Sequence, residues 1–272
     1  MVISILGCGW YGRALADKLL NGGMTVKGST TTLEKMTDLE REGILPYVAR
    51  FEQDTALIVP DFFHCDIIVV AIPPGFKKNQ GQHYVPKIKR IIEAIAEYKI
   101  PKVIYISSTS VYSDCNHELT EHDIPQPDSE SGKTLYEAER LFLNEHRFKT
   151  TVIRFGGLIG PGRNPGRFFS GKTGVPNGRA PVNLIHQSDC VGITIAIIEK
   201  DIFGLVLNAC APDHPAKKDF YSQTAVKSKL PLPQFIDELA NWKIVHSVIL
   251  SEKLHYKFTI KNWDTYLESG QA

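Results

Sequence analysis

Net charge is almost missing from this sequence: 31 Lys and Arg stand against 30 Asp and Glu, a formal balance of +1 over 272 residues. A chain so balanced offers no electrostatic footprint for nucleic acid. The five cysteines, Cys8, Cys65, Cys115, Cys190 and Cys210, are scattered and form no Cys-x-x-Cys, which argues against a zinc site or a redox pair. Unpaired thiols suit a reducing compartment, so a cytoplasmic protein is expected. No apolar run reaches membrane-spanning length, and no membrane partner is expected. The opening Met1-Val2-Ile3-Ser4-Ile5-Leu6-Gly7 has no basic residue before its apolar run and reads as a strand, not a signal peptide. Internal repeats, low-complexity tracts and metal-ligand spacings are also lacking, so no metal is expected.

The most informative stretch is Ile3-Ser4-Ile5-Leu6-Gly7-Cys8-Gly9-Trp10-Tyr11-Gly12-Arg13-Ala14-Leu15-Ala16. An apolar strand runs into Gly-x-Gly-x-x-Gly and then into a helix, the context that makes a dinucleotide fingerprint credible. Gly7 permits the tight turn, Gly9 lets backbone approach a pyrophosphate, and Gly12 lets the helix pack close to the strand. Trp10 and Tyr11 stand where the helix begins and offers backbone N–H groups and its positive dipole end to phosphates. Cys8 reads as a small residue of the turn.

Apolar runs recur at Val2–Leu6, Thr25–Lys27, Ile44–Val48, Asp66–Ile72, Lys102–Ile106 and Thr151–Phe155, with helical patterns between most of them. The clearest helix is His83–Lys99, with Val85, Ile88, Ile91, Ile92 and Ile95 on one stripe. This alternation predicts an α/β fold with a doubly wound parallel sheet. After Gly156 the texture turns to Gly, Pro, Arg and Asn through Val182. Ser188-Asp189 then reads as a cap for a helix Val191–Lys200, followed by a strand Leu205–Ala209 and a helix after Pro215. The expected division is a cofactor domain over 1–155 and a smaller, interleaved substrate lobe over 156–272.

Four segments line up in order: the glycine turn, Ile106-Ser107-Ser108-Thr109-Ser110-Val111-Tyr112, Val152-Ile153-Arg154-Phe155-Gly156-Gly157-Leu158-Ile159-Gly160-Pro161-Gly162-Arg163, and Val182-Asn183-Leu184-Ile185-His186-Gln187-Ser188-Asp189. Together they resemble the extended short-chain dehydrogenase/reductase superfamily, the NAD-dependent epimerase/dehydratase group, and most of all an atypical branch of it. The resemblance implies a Rossmann domain of about seven strands and a C-terminal substrate lobe. It implies a nicotinamide cofactor and a small polar substrate such as a nucleotide sugar. It also implies a homodimer, paired through the helices His83–Lys99 and Thr134–His146.

The family uses a Tyr as acid/base, a Lys one helical turn later, and a Ser or Thr that orients the reacting oxygen. A free phenol titrates at about 10, and a cation one turn away favours its ionised form. Ser108 fits the hydroxyl position: it ends an apolar strand, where ligands of open α/β sheets sit. Tyr112 reads as packing beneath that turn. The Tyr/Lys pair is where the sequence departs. The family pattern places a Glu after the Lys, and aligning it to Glu139 puts Ser131 and Leu135 at the Tyr and Lys positions. Neither side chain performs that chemistry. A second register gives Tyr136 and Arg140, one turn apart on a helix, with Lys133 nearby. An Arg fork does not replace Lys geometrically. Tyr136 and Arg140 are therefore candidates for acid/base work, and a Tyr on an outer helix face is the alternative.

Cofactor contacts are expected at further strand ends. An enzyme selecting NAD ends its second strand with an acid for the ribose 2′-hydroxyl. Here Val26-Lys27-Gly28-Ser29-Thr30-Thr31-Thr32 has no acid before Glu34. The hydroxyls of Ser29, Thr30 and Thr31, with Lys35, suit a 2′-phosphate, so NADP is expected, with NAD as the alternative. Thr31 and Thr32 otherwise cap a helix Leu33–Arg41. Ile72-Pro73, at the end of the fourth strand, and Ser107 complete the expected cofactor contacts. Residues 76–81 are a candidate mobile cover, or an ordinary solvated loop. In the lobe, Arg163, Arg167 and Lys172 suit a diphosphate or a carboxylate, or form a solvated basic loop. His186 reads as structural and Asp189 as a cap. The expected function is an NADP(H)-dependent oxidoreductase or epimerase/dehydratase; the alternative is a dinucleotide-bound sensor or docking module that has lost the Tyr/Lys pair.

Overall fold

The computed structural model describes residues 1–52, 56–57, 59–75 and 81–269. Its centre is a seven-stranded sheet of β1 (Val2–Leu6), β2 (Thr25–Thr30), β3 (Leu45–Val48), β4 (Ile67–Val70), β5 (Lys102–Ser108), β6 (Lys149–Phe155) and β7 (Val206–Ala209). The spatial order is β7-β6-β5-β4-β1-β2-β3. β1 pairs parallel with both β2 and β4, β2 with β3, and β4 with β5. The order reverses after β1, which creates the crevice at the strand C-termini where such sheets take ligands. The α/β, doubly wound parallel sheet expected from the alternation is present.

The main helices are α1 (Trp10–Asn21), α2 (Met36–Arg41), α3 (Tyr84–Glu97), α4 (Glu130–Leu143), α5 (Gln187–Glu199) and α6 (Lys217–Lys227). On α3, Ile88, Ile91, Ile92 and Ile95 are buried, as their spacing predicts. Three helix starts differ from expectation. α2 begins at Met36 and its N-cap residue is Lys35, with no side-chain cap, so Thr31 and Thr32 do not cap it. α4 begins at Glu130 rather than Thr134, because the Ser129 hydroxyl accepts the Gly132 N–H at 3.1 Å. α5 begins at Gln187, which places Ser188 and Asp189 inside its first turn.

The chain forms two compact units. The first comprises residues 1–111, 126–154 and 194–206; the second comprises 112–125, 155–193 and 207–272. In the first, Ile3, Ile5, Ile68, Val69, Val70, Val103 and Ile104 are fully buried, as near-continuous apolar strands covered on both faces require. The second has its own core of Ile159, Val182, Leu184, Ala211, Phe220, Tyr221, Ile260, Trp263, Tyr266 and Leu267. Within it, Tyr112 is buried and its hydroxyl donates to the Thr120 carbonyl at 3.0 Å. No described helix is long and apolar enough to cross a membrane.

Candidate cofactor site

The glycine turn between β1 and α1 is fastened from two sides. Gly7 has φ +97, and a Cβ there would meet the Ala71 carbonyl oxygen at 2.9 Å and Ile72 Cγ2 at 3.0 Å. Only glycine allows that conformation and that approach to the end of β4. From β2, the Ser29 hydroxyl accepts the Gly7 N–H at 2.9 Å and the Ser29 carbonyl accepts the Cys8 N–H at 3.1 Å. Ser29 is thus buried as a brace of the turn. Cys8 packs against β2: a Cβ on Gly28 would lie 3.1 Å from its Sγ. Burial pushes the Cys8 thiol up to about 12, against a smaller downward pull from Arg13, so it is an inert packing group.

Gly12 lies close against Gly7, with 2.8 Å between its ideal Cβ and the Gly7 carbonyl oxygen. Gly9 is the opposite case. A Cβ there meets nothing within 4 Å, so the fold itself leaves that position open. The space lies at the N-terminus of a twelve-residue helix that has no side-chain cap, the arrangement that receives an anionic phosphate. These residues fit a dinucleotide. Tyr11, by contrast, is turned inward, its hydroxyl 2.7 Å from that of Thr194. Trp10 is half-buried beside the turn.

The neighbouring strand ends meet the same turn. The Ile72 carbonyl accepts the Tyr84 hydroxyl at 3.0 Å, and Tyr84 lies 3.0 Å from the hydroxyl of Tyr105 on β5. Burial raises the pKa of both phenols, so this pair holds its protons and acts as a fixed brace under the crevice. Pro73 follows, exposed. The candidate cover over 76–81 falls mostly outside the described residues. At the end of β2, Thr30 is half-buried while Thr31 and Lys35 are exposed. The Thr31 carbonyl also accepts Arg50 Nε at 2.6 Å, a partner the sequence reading did not name.

At the end of β5 the two serines part company. Ser107 is buried and donates to Glu139 Oε1 at 2.6 Å. Glu139 receives Arg154 of β6 through Nε at 3.1 Å and Nη2 at 2.7 Å; the two side chains are 0% and 4% exposed. Ser108, half-buried, is the last residue of the strand, and its hydroxyl accepts the Ser110 N–H at 3.2 Å. On α4, Gly132, Leu135, Ala138, Glu139 and Phe142 form the buried stripe. Ser131 and Leu135 belong to that stripe by helical spacing. Tyr136 and Arg140 share a face, as their spacing predicts, but a different one. With Pro127, Lys133, Glu137, Leu141 and Asn144 they line an open hollow of about 330 Å³. The structure brings Ser107 and Glu139 together and leaves Tyr136 and Arg140 off the stripe that meets β5.

In the second unit, Arg163, Arg167 and Lys172 are all exposed. Their loop is pinned by Asn164, whose side chain accepts the Gly166 N–H at 2.8 Å and donates to the Ser228 hydroxyl at 2.9 Å. Lys172 Nζ sits 5.3 Å from the centre of the Phe169 ring. His186, not Asp189, caps α5: its Nδ1 accepts the Ser188 N–H at 3.2 Å, and burial pushes its pKa down. Asp189 is fully buried and reaches far along the chain. It accepts the Tyr256 hydroxyl at 2.9 Å and the N–H groups of Thr259 at 2.7 Å and Ile260 at 3.1 Å. Among the described residues, no group of three His, Cys, Asp or Glu is placed to hold a metal ion.

A parallel sheet that reverses at β1, with an open glycine turn at the reversal, defines a dinucleotide-binding protein. Residues 7–183 match the NAD(P)H-binding family, and the chain belongs to that family. It is similar to Protein YeeZ of Escherichia coli strain K12, with 34% identity over 244 residues, 89% of either chain. Among solved structures, UDP-glucuronic acid 4-epimerase from Bacillus cereus in complex with NAD superposes with a TM-score of 0.81 at 21% identity, covering 100% of this chain and 96% of that one. UDP-glucose 4-epimerase from Thermotoga maritima with UDP-glucose superposes at 0.78 and 17% identity, covering 98% of each. These likenesses show that the chain shares its fold with those two epimerases.

Proposed function

We propose that the protein is a cytoplasmic, NADP(H)-dependent oxidoreductase or epimerase of a small polar substrate, such as a nucleotide sugar. The observation that carries this is the open position above Gly9, framed by Gly7, Gly12 and the uncapped N-terminus of α1. The turn holds the pyrophosphate, and the 2′-phosphate takes the Thr30, Thr31 and Lys35 end of β2. The nicotinamide supplies redox chemistry when bound. Ser108 is the hydroxyl that orients the reacting oxygen at the end of β5. Arg163, Arg167 and Lys172 grip the substrate's anionic part, and Tyr136 with Arg140 is the acid/base pair. Two copies pair through α3 and α4. Five free cysteines are in keeping with the cytoplasm.

One observation favours the alternative, a dinucleotide-bound sensor without turnover. Ser131 and Leu135 occupy the stripe that faces β5, whereas Tyr136 and Arg140 face the outer hollow. Titration by cofactor fluorescence tests the shared part. NADPH is expected to bind in the micromolar range or better, and more tightly than NADH. Gly9→Val is expected to abolish binding and leave the melting temperature little changed, because a Cβ there fills ligand space and meets no protein atom within 4 Å. Preference for NADH overturns the NADP assignment, and a Gly9→Val variant that still binds overturns the site.

A further inference from the structure

The tip of β2 holds a cation contributed by another strand. β2 and β3 run parallel with Thr30 opposite Val48, and the Ala49 N–H continues the ladder onto the Thr30 carbonyl at 3.1 Å. The next residue, Arg50, is exposed, and its Nε donates to the Thr31 carbonyl at 2.6 Å. That bond anchors the guanidinium on the Thr cluster, 19 residues away in sequence. Lys35 stands exposed beyond the same bend. Glu34, the only acid between Thr25 and Lys35, is exposed there too. Its carboxyl is held below the ordinary range by its own backbone N–H and the Thr32 hydroxyl, with Arg50 and Lys35 adding to the pull. Both cations therefore act on one small volume at the end of β2.

An acid at this place accepts a ribose hydroxyl, whereas a planar guanidinium presents a fork of donors matched to a phosphate. We propose that Arg50 is the specificity-determining residue for a ribose 2′-phosphate at the tip of β2. The bond from Nε to the Thr31 carbonyl fixes the fork, and the two terminal nitrogens donate to the phosphate. Lys35 adds charge, and Glu34 opposes it. This rests on the NADP(H) assignment above and names the residue that decides it.

The test uses the full chain and two probes that lack the nicotinamide half, adenosine 2′,5′-bisphosphate and 5′-AMP, in calorimetric titrations. The wild type is expected to bind the bisphosphate at least about 10-fold more tightly than AMP, the worth of charged hydrogen bonds to one phosphate. Arg50→Ala is expected to reduce that ratio to within about twofold while leaving AMP affinity unchanged; Arg50→Lys retains part of it, and Glu34→Gln raises it. Circular dichroism verifies that each variant is folded. A bisphosphate preference that survives Arg50→Ala overturns the role of Arg50 and leaves the NADP(H) assignment standing. A wild type without the preference overturns the NADP(H) assignment itself. Equal loss of both probes in Arg50→Ala shows that Arg50 merely holds the strand tip and overturns the selector role.

Discussion

Replacing Arg154 by Met removes a buried cation and leaves the Glu139 carboxylate, 0% exposed, with the neutral Ser107 hydroxyl donating to it. Breaking a buried pair from one side typically costs about 3–5 kcal/mol, because the remaining charge has no counter-ion and no water. For a chain of this size that lowers the melting temperature by on the order of 10 °C. The companion variant Arg154→Met/Glu139→Leu removes both charges. It leaves the buried Ser107 hydroxyl without that acceptor, at roughly 1–3 kcal/mol, but no charge is stranded. The double variant is therefore expected to be more stable than the single one. Urea unfolding followed by far-ultraviolet circular dichroism measures both, with the slopes compared to confirm that the same surface is exposed. A single variant that loses less than about 1 kcal/mol refutes the sealed pair. A double variant no better than the single one refutes the stranded charge and assigns the loss to packing of the arginine stem.

Tyr136→Phe keeps the ring and removes its proton; turnover is expected to fall about 10²- to 10⁴-fold if the phenol is the acid/base. Unchanged turnover removes Tyr136 from the chemistry. Ser108→Ala is expected to raise the barrier by roughly 2.7–4 kcal/mol with NADPH affinity unaltered, and a variant silent on every substrate favours the sensor. His214 gives a pH signature. Its Nδ1 donates to the Val182 carbonyl at 3.0 Å, its Nε2 is buried without a hydrogen-bond partner among the described residues, and burial is the main cause that lowers its pKa. The unfolded chain then takes up a proton first, so stability is complete above the ordinary histidine value and falls as pH drops below about 6.5. His214→Asn is expected to flatten the decline of the urea midpoint between about pH 7.5 and 5.5; a wild-type midpoint constant over that interval refutes it.

The parts of the fold that the sequence displays are those whose causes are local. The glycine turn reads correctly because strand, turn and helix follow within sixteen residues, and α3 because its isoleucines recur at helical spacing. The sequence reading starts α4 at Thr134, whereas the helix begins at Glu130. Ser129 caps it, and Gly132 is small because the Ser110 carbonyl lies against it. Asp189 reads as a helix cap from the sequence because its actual partners lie 67 to 71 residues away. Arg50 is illegible in the sequence for the same reason: only the pairing of β2 with β3 carries it to the Thr cluster. The cofactor end of the sheet was legible in its backbone pattern, while the side chains that tune it come from across the fold.

The first unit is written in three separate pieces of chain, residues 1–111, 126–154 and 194–206. On the ribosome its earliest strand therefore waits for its last helix turn. Tyr11, near the start, meets its hydroxyl partner Thr194 only after 183 further residues have been made. Residues 112–125 and 155–193 of the second unit are synthesised in the interval, and that unit is completed only by 207–272, after the first has all its pieces. A nascent chain stopped before residue 206 holds the glycine turn but lacks the segment that closes its unit, and long-range closure of this kind favours slow folding and dependence on chaperones.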